Sequence, residues 1–309
     1  MNEKRHGPVQ ITQHFYQLGI PSFPAYLSLG DDGMIIEGGT GATFPFIVEQ
    51  IEELGIEPER IKYLTLTHTH ADHIGALPHL RKLWPHLKVV ASPIGAELLK
   101  KEAVIKEFIW TDRKIAEIMM ANGVISDYPP KLDSYDFNVD ILVNEGDRIE
   151  LGQGIAWTVY EAAGHAPCHI ALHEEKEGTL VIGDTTGFNT PGKDVFWPNY
   201  FHSLEAYCNT IKKLSAISAK RLALSHNGVI ESGISDYFRR AIGATESYHL
   251  EMLERVGNGE DPSEVALEKA KWVNTLTDIL PFSVMEAMSK LLIRRSQSEA
   301  DKEGLFDLP

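Results

Sequence analysis

The sequence has few cysteines, a shortage of basic residues and no long apolar run. Its two cysteines, Cys168 and Cys208, are too few for a disulfide framework and lack a C-x-x-C spacing. Because such a chain suits a reducing compartment, a cytoplasmic location is expected. Lysine and arginine number 29 against 44 aspartates and glutamates, which leaves a net charge of −15 and argues against nucleic-acid binding. No stretch of about 18 apolar residues occurs, so no membrane span is expected. Residues 1–6 lead into no apolar signal region.

Histidine is abundant and clustered. Residues 67–73 read T-H-T-H-A-D-H, after an apolar run at 61–66 that predicts a buried strand. His68 and His70 are two residues apart, so both face one side of an extended segment. Asp72 and His73 fall on the following turn, so their side chains can face a second position in space. This spacing predicts two metal ions side by side, one held by each pair. A polar loop with surface histidines is the disfavoured alternative, because four ligands at this spacing rarely arise from composition alone.

Three further ligand residues follow predicted strands. They are His165, Asp184 and His226, each beside glycine or at the end of an apolar run. Strand ends in a layered α/β fold converge on one rim, so we expect these residues to join the cluster. His165 would complete a three-histidine set, and His226 would join the second pair. Asp184 has two carboxylate oxygens and would bridge both ions. His169 is predicted to support a ligand from behind or to face the substrate.

The predicted charges indicate the chemistry. Two divalent ions bring a charge of +4, whereas Asp72, Asp184 and a bridging hydroxide bring −3. The net charge of about +1 would attract an electron-rich oxygen. A metal lowers the pKa of its bound water from about 15.7 to near 7. A bridging hydroxide could then attack a carbonyl while one ion polarises it. Asp72 and Asp184 are therefore the predicted catalytic carboxylates. Zinc is the metal expected first, and iron or manganese would also suit these ligands.

The rest of the chain predicts helices around this centre. Apolar residues recur at helical spacing from 94 to 122, which favours a helical insert at about 94–140 over a cleft; an ordinary packed helix pair is the alternative. Residues 237–292 are helical in pattern, and 294–309 are polar and expected to fray. We therefore predict a catalytic domain at 1–236 and a helical extension at 237–309.

These motifs together resemble the metallo-β-lactamase superfamily. The resemblance rests on the T-H-x-H-x-D-H stretch, on Gly164-His165 and Gly183-Asp184, and on Ser225-His226. It covers about residues 10–231 and implies an α/β fold, an αββα sandwich, with a dinuclear metal centre. The superfamily motif specifies the fold far better than the substrate.

Within that superfamily the layout is most similar to the 2-aminobenzoylacetyl-CoA thioesterase group of the bacterial quinolone-signal pathway. Shared features are Glu37-Gly38-Gly39, the helical segment after Ser92, the loop at 196–198 and the helical C-terminal extension. That group implies iron or zinc. The neighbouring acyl-homoserine lactonases have a tyrosine three residues after the bridging aspartate, where this chain has Gly187.

The leading hypothesis is a metal-dependent hydrolase of esters or thioesters, most of all an acyl thioesterase. Lactone opening is an alternative, as is a regulator that binds partners through its C-terminal helices. The expected partner is a small-molecule acyl ester or thioester, with no nucleic acid or membrane; a homodimer is left open. Phe196, Trp197, Tyr200 and His169 are the predicted substrate contacts, because an apolar wall beside cationic metals suits an acyl group.

Overall fold

The computed structural model describes residues 6–190, 192–193, 195–299 and 303–308. The strands are β1 Val9–Gln10, β2 Phe15–Ile20, β3 Phe23–Leu29, β4 Gly33–Ile36, β5 Ile61–Thr65, β6 Lys88–Ala91, β7 Ile141–Leu142, β8 Arg148–Gly152, β9 Ile155–Glu161, β10 Ile170–Glu174, β11 Thr179–Gly183, β12 Phe188–Thr190, β13 Val195–Trp197, β14 Arg221–Leu224 and β15 Val229–Ile230. The α-helices are α1 Phe44–Glu53, α2 Ala71–Ile74, α3 Leu77–Leu83, α4 Pro93–Leu98, α5 Glu102–Ala121, α6 Leu204–Ser215, α7 Ile234–Gly257, α8 Pro262–Leu276 and α9 Phe282–Ser298.

Two mixed sheets form the centre of the molecule. The first has the order β1-β2-β3-β4-β5-β6-β7, with antiparallel pairs from β1 to β4 and parallel pairs from β4 to β7. The second has the order β15-β14-β11-β10-β9-β8, in which only the β11–β14 pair is parallel. A short β12–β13 ribbon lies outside both. The predicted αββα sandwich is confirmed.

The two sheets share a buried interface. Tyr26 and Met34 of the first sheet belong to the same apolar cluster as Trp157 and Leu172 of the second. The Trp157 indole donates a hydrogen bond of 2.9 Å to the Ser28 hydroxyl across this interface, so its one polar atom is satisfied. The alternation of buried and exposed residues in β8 is what a strand covered on one face predicts.

Helices cover the outer faces. Residues of α1, α3 and α5 pack on the first sheet, and α6 and α7 pack on the second together with α8 and α9. The predicted insert contains α4 and α5, and the predicted extension contains α8, α9 and most of α7. Among the described residues, no helix has both the length and the apolar composition needed to cross a bilayer. Residues 1–5, part of the segment where no signal region is expected, lie outside the described ranges.

The prediction of a frayed C-terminus is wrong for the described residues after 293. The last helix continues to Ser298, and Leu305 is buried against the cluster that holds α6 and α7. The Phe306 ring lies 5.9 Å from the His249 ring. The Glu299 carboxylate accepts hydrogen bonds from the backbone N–H groups of Leu204 and Glu205, at 2.9 and 2.7 Å. Two apolar side chains and one capping carboxylate therefore hold a segment whose composition is mostly polar.

Candidate metal centre

Three imidazole nitrogens converge where β5 and β9 end. The Nδ1 atom of His70 lies 3.1 Å from Nε2 of His68 and 2.9 Å from Nε2 of His165. His68 and His165 are buried, and His70 is half-buried. Because these nitrogens cannot all satisfy one another as neutral rings, they form a natural three-nitrogen site for a cation.

A second set of ligand atoms lies beside the first. The Asp72 Oδ2 atom lies 3.4 Å from Nε2 of His73 and 3.6 Å from Nε2 of His226. These three ligand atoms lie within 4.8 Å of one another, as do those of the first set. The very short α2 helix places Asp72 and His73 one turn beyond the extended His68–His70 segment. The strand-to-helix change thus divides one sequence motif between two sites.

Asp184 lies between the two sets. Its Oδ2 atom lies 3.4 Å from Nε2 of His165 and 3.3 Å from Nε2 of His73. Its Oδ1 atom lies 3.7 Å from Nε2 of His226. One carboxylate therefore faces ligands of both sets, which is the position that a bridging carboxylate requires.

Carbonyl groups fix the orientation of two histidines. Nδ1 of His165 lies 3.0 Å from the Asn199 carbonyl oxygen, and Nδ1 of His226 lies 2.6 Å from the Ser22 carbonyl oxygen. A carbonyl only accepts, so each Nδ1 must carry the proton. The Nε2 lone pairs are consequently free and point at the cluster, as metal-binding histidines require.

Glu37 orients further ligands, a role that the sequence did not predict. Its Oε2 atom lies 2.9 Å from Nδ1 of His73, and its Oε1 accepts hydrogen bonds of 2.7 Å from the hydroxyls of Thr67 and Ser225. The Thr67 oxygen also lies 3.0 Å from Nδ1 of His68. Glu37 is buried and has a positive φ of 71°. An acidic residue at the end of an otherwise buried apolar strand is the sequence signal that could have revealed it.

The protonation states suit cation binding. Burial, followed by the neighbouring His165, lowers the pKa of His70 to about 3. Burial also lowers the pKa of His165 to about 4. Burial acts to raise the pKa of Asp184, but nearby histidines outweigh it and hold that pKa well below its ordinary value. At neutral pH these groups are thus neutral imidazoles and a carboxylate, the forms that bind metals.

One buried atom shows directly that the residues fit a cation. Nε2 of His73 is buried and has no hydrogen-bond partner among the described atoms. Burial lowers the pKa of His73, but Asp72, Glu37 and Asp184 outweigh that effect and raise it well above the usual value. The cluster therefore compensates its carboxylates with a proton on His73, and a divalent ion would supply that positive charge instead.

His169 lies behind the cluster. Its Nε2 accepts a hydrogen bond of 3.1 Å from the Asp184 backbone N–H, and its ring stacks on the His68 ring at 4.7 Å between centroids. It is buried and is not among the residues that line the cleft. The structure therefore places it as a support for Asp184, the first of the two roles considered for it.

A cleft of about 530 Å³ opens over the cluster. Its walls come from α5, the 196–201 loop, the α8–α9 connection and α9. The apolar lining residues are Ala71, Phe108, Trp110, Phe188, Trp197, Phe201, Ile279, Leu280, Val284, Ala287, Met288 and Leu291. His70, Asp72, His165, Asp184 and His226 line the same cleft. Its size and apolar walls are typical of small-molecule sites.

Only one of the three aromatic residues predicted to contact substrate lines this cleft. Trp197 does so. The Phe196 ring packs 5.2 Å from the Tyr237 ring instead. Tyr200 is fully buried, and its hydroxyl hydrogen-bonds to the Ser296 hydroxyl at 2.8 Å. The neighbouring Phe201 lies in the cleft instead, with its ring 5.3 Å from the His165 ring.

Comparisons with known proteins agree with this geometry. The model of the family described as "Metallo-beta-lactamase superfamily" matches residues 24–226. The probable metallo-hydrolase YqjP of Bacillus subtilis is 28% identical over 167 residues, which are 52% of this chain and 51% of that protein. The chain thus spans about half the length of that relative. The flavo-diiron protein FprA2 of Clostridium acetobutylicum is 35% identical over 79 residues, 26% of this chain and 20% of that protein.

Solved structures share the fold. The native FEZ-1 metallo-beta-lactamase from Legionella gormanii superposes with a TM-score of 0.58, over 80% of this chain and 97% of that one. A metallo-beta-lactamase from Cronobacter sakazakii carrying motif substitutions gives 0.59, over 81% and 99%. Both are 19% identical to this chain, so the likeness extends to the fold alone.

Proposed function

Since this chain belongs to the metallo-beta-lactamase superfamily, we propose that it hydrolyses acyl esters and thioesters with two divalent metal ions. His68, His70 and His165 would hold one ion. Asp72, His73 and His226 would hold the other, and Asp184 would bind both. When bound, the ions would polarise a substrate carbonyl and lower the pKa of water. Zinc is the first assignment, whereas the similarity to a flavo-diiron protein supports iron.

The residues around the ions have separate tasks. The carboxylates of Asp72 and Asp184 bring negative charge that offsets the two cations. The backbone carbonyls of Asn199 and Ser22 keep His165 and His226 in the tautomer that directs Nε2 inward. Glu37 does the same for His73. Substrate positioning falls to the cleft walls, which exclude water from the acyl group.

One observation carries the proposal: an apolar cleft opens on the cluster of ligand residues. Phe188 and Leu280 offer an apolar surface for an acyl chain or aromatic acyl group. A group bound there would present its carbonyl to the cluster. A β-lactam or a phosphodiester is more polar and would use this surface less well.

The leaving group favours a thioester. Tyr200 was a predicted substrate contact, but the hydrogen bond of its hydroxyl with Ser296 keeps it beneath the loop, and burial raises its pKa above the usual value. A thiolate leaves without a strong general acid, whereas an alkoxide needs one. In the proposed reaction, water adds to the acyl carbonyl, the C–S bond breaks, and the products are a carboxylic acid and a thiol.

A side-by-side assay tests the proposal. The metal-loaded protein receives an acyl thioester, an acyl-homoserine lactone, a phosphodiester and a β-lactam of similar size, and kcat/KM is compared. We expect the thioester to be cleaved fastest and the activity to disappear when the metals are removed. Faster lactone opening would favour the lactonase alternative. A clear preference for the phosphodiester, or no turnover of any substrate, would overturn the proposal, and the latter would favour a binding role.

A further inference from the structure

Outside the ligand set, two charged side chains line the cleft. They are Arg294 on α9 and Glu107 on α5. Both are exposed, and within the described part of the chain neither makes a hydrogen bond or an ion pair. The cations near Arg294 behave differently: Arg295 donates to the Phe201 carbonyl oxygen at 3.0 Å, and Lys290 pairs with Glu286. Arg294 is thus the cation of α9 that remains available to a ligand.

We propose that Arg294 binds an anionic group in the leaving part of the substrate. This inference rests on the proposed thioester hydrolysis and adds a substrate class to it: thioesters whose thiol carries phosphate or carboxylate. A guanidinium offers paired donors that match these anions. The chain's net charge of −15 repels an anionic substrate at long range. A cation at the cleft offsets that repulsion where the substrate enters.

The position of Arg294 assigns it to the leaving group rather than the acyl group. Leu291 and Arg294 are three residues apart and line the cleft from one face of α9. The adjacent Arg295 contacts the Phe201 backbone, and the Phe201 ring lies against His165. Arg294 therefore lies toward the His165 side of the cleft.

The other side of the cleft is apolar. Phe188 lines it, and the Phe188 ring lies 5.7 Å from the His226 ring. The Phe23 ring lies 5.9 Å from the His226 ring. An acyl group suits this side, because it offers no charged partner. The thiol part, which is larger and more polar in natural thioesters, then extends past the exposed Arg294 to solvent.

Three thioesters that share one acyl group test this inference. Butyryl-CoA carries phosphates, S-butyryl-glutathione carries carboxylates, and S-butyryl-N-acetylcysteamine has a neutral thiol part. We expect Arg294→Gln to raise KM and lower kcat/KM about tenfold on one or both anionic substrates, the loss of a charge-assisted hydrogen bond. Activity on the neutral substrate should stay unchanged, and Arg294→Lys should restore part of the loss. The loss on CoA or on glutathione identifies phosphate or carboxylate as the group bound.

Matched variants sharpen the result. Arg239→Gln removes an exposed arginine that pairs with Asp236 on α7, so kcat/KM should stay unchanged on all three substrates. Equal losses on all three substrates, or no loss on either anionic one, would overturn the role of Arg294. A lower kcat/KM in Glu107→Gln, with Arg294→Gln unaffected, would also overturn it, since a cationic group would then be the one recognised.

A binding measurement separates this inference from the proposed function. If the metal-loaded protein cleaves no thioester, the hydrolase proposal fails by itself. Calorimetric titration of the same protein with two non-reactive probes, desulfo-coenzyme A for phosphate and S-methylglutathione for carboxylate, then tests Arg294 directly. Binding of either probe that weakens about tenfold in Arg294→Gln and not in Arg239→Gln supports the anion site, whereas equal binding of both probes by the two variants overturns it.

Discussion

The Glu37 carboxylate lies 2.9 Å from Nδ1 of His73, and both side chains are buried. The same carboxylate reaches His68 through the Thr67 hydroxyl. A single acidic side chain therefore sets the tautomer of one histidine in each of the two ligand sets. Because a carboxylate only accepts hydrogen bonds, both Nδ1 atoms are held as donors, which leaves the Nε2 atoms as the ones that would bind a metal.

Glu37→Gln should break this arrangement while preserving its volume. If the amide nitrogen faces His73, that ring must move its proton to Nε2. If the amide nitrogen faces Thr67 instead, the Thr67 hydroxyl must accept from it and donate to Nδ1 of His68. His68 then carries its proton on Nε2. Either way one ligand is lost, and we expect metal affinity to fall about 10- to 100-fold.

Metal titration with a competing chelator measures this affinity, and circular dichroism checks the fold. Glu174→Gln is a matched control: this buried carboxylate caps the Lys176–Glu177 turn, and the structure places it outside the ligand sets. Unchanged affinity in Glu37→Gln would contradict the role assigned to Glu37.

Asp184→Asn should abolish or severely reduce hydrolysis with little effect on the fold. Asparagine is nearly isosteric but brings no negative charge to hold two cations. The backbone N–H that contacts His169 is unaffected by the change. Metal content per chain and kcat should both be measured, with the exposed Asp236→Asn as the control. Full metal content with normal turnover would show that Asp184 does not bridge.

Glu299→Ala should destabilise the protein by about 1–2 kcal/mol, the typical effect of losing a helix cap. Its carboxylate accepts from two N–H groups at the start of α6 and from the Ser203 hydroxyl. Urea denaturation gives the free energy of unfolding. Glu286→Ala, which removes a surface ion pair with Lys290, should cost less. Equal effects in the two variants would argue against the capping role.

Asp112→Asn should change how stability depends on pH. Asp112, on α5, accepts a hydrogen bond of 2.8 Å from the Gly41 backbone N–H. Burial raises its pKa from 3.8 to about 6. A carboxyl whose pKa is raised on folding contributes stability below the unfolded pKa, and that stability is lost as pH rises through the folded value.

Wild type should therefore lose stability relative to Asp112→Asn between pH 4 and 6. Urea denaturation of both metal-free proteins across this range measures the difference, and other titrating groups cancel in the subtraction. A difference that is constant with pH would show that Asp112 does not titrate there.

The sequence predicted much of this site because the ligands follow strands. Apolar runs located the strands, and the ends of neighbouring strands meet at one rim, so His165, Asp184 and His226 could be joined to the local motif without a structure. The αββα sandwich followed from the family resemblance. The helical wall at α5 followed from its apolar spacing.

Contacts between distant residues were beyond such reasoning. Glu37 meets Thr67 and Ser225 across 30 and 188 residues of chain, and no periodic pattern relates those positions. Tyr200 is an aromatic residue of the kind that often lines clefts. Here α9 packs over it, and its hydroxyl hydrogen-bonds to the Ser296 hydroxyl. Side-chain direction in an irregular loop depends on what packs over it, which composition does not record.

The ligands and the cleft walls belong to different parts of the fold. The ligands follow strands of the two sheets, whereas Phe108 and Leu291 lie on helices outside them. Mutations in α5 and α9 can therefore alter which molecule the cleft accepts while the cluster of ligand residues stays unchanged. Substitutions in these two helices can thus change the ligand that the cleft prefers, and every intermediate sequence along that route keeps the same metal-ligand residues for selection to act on.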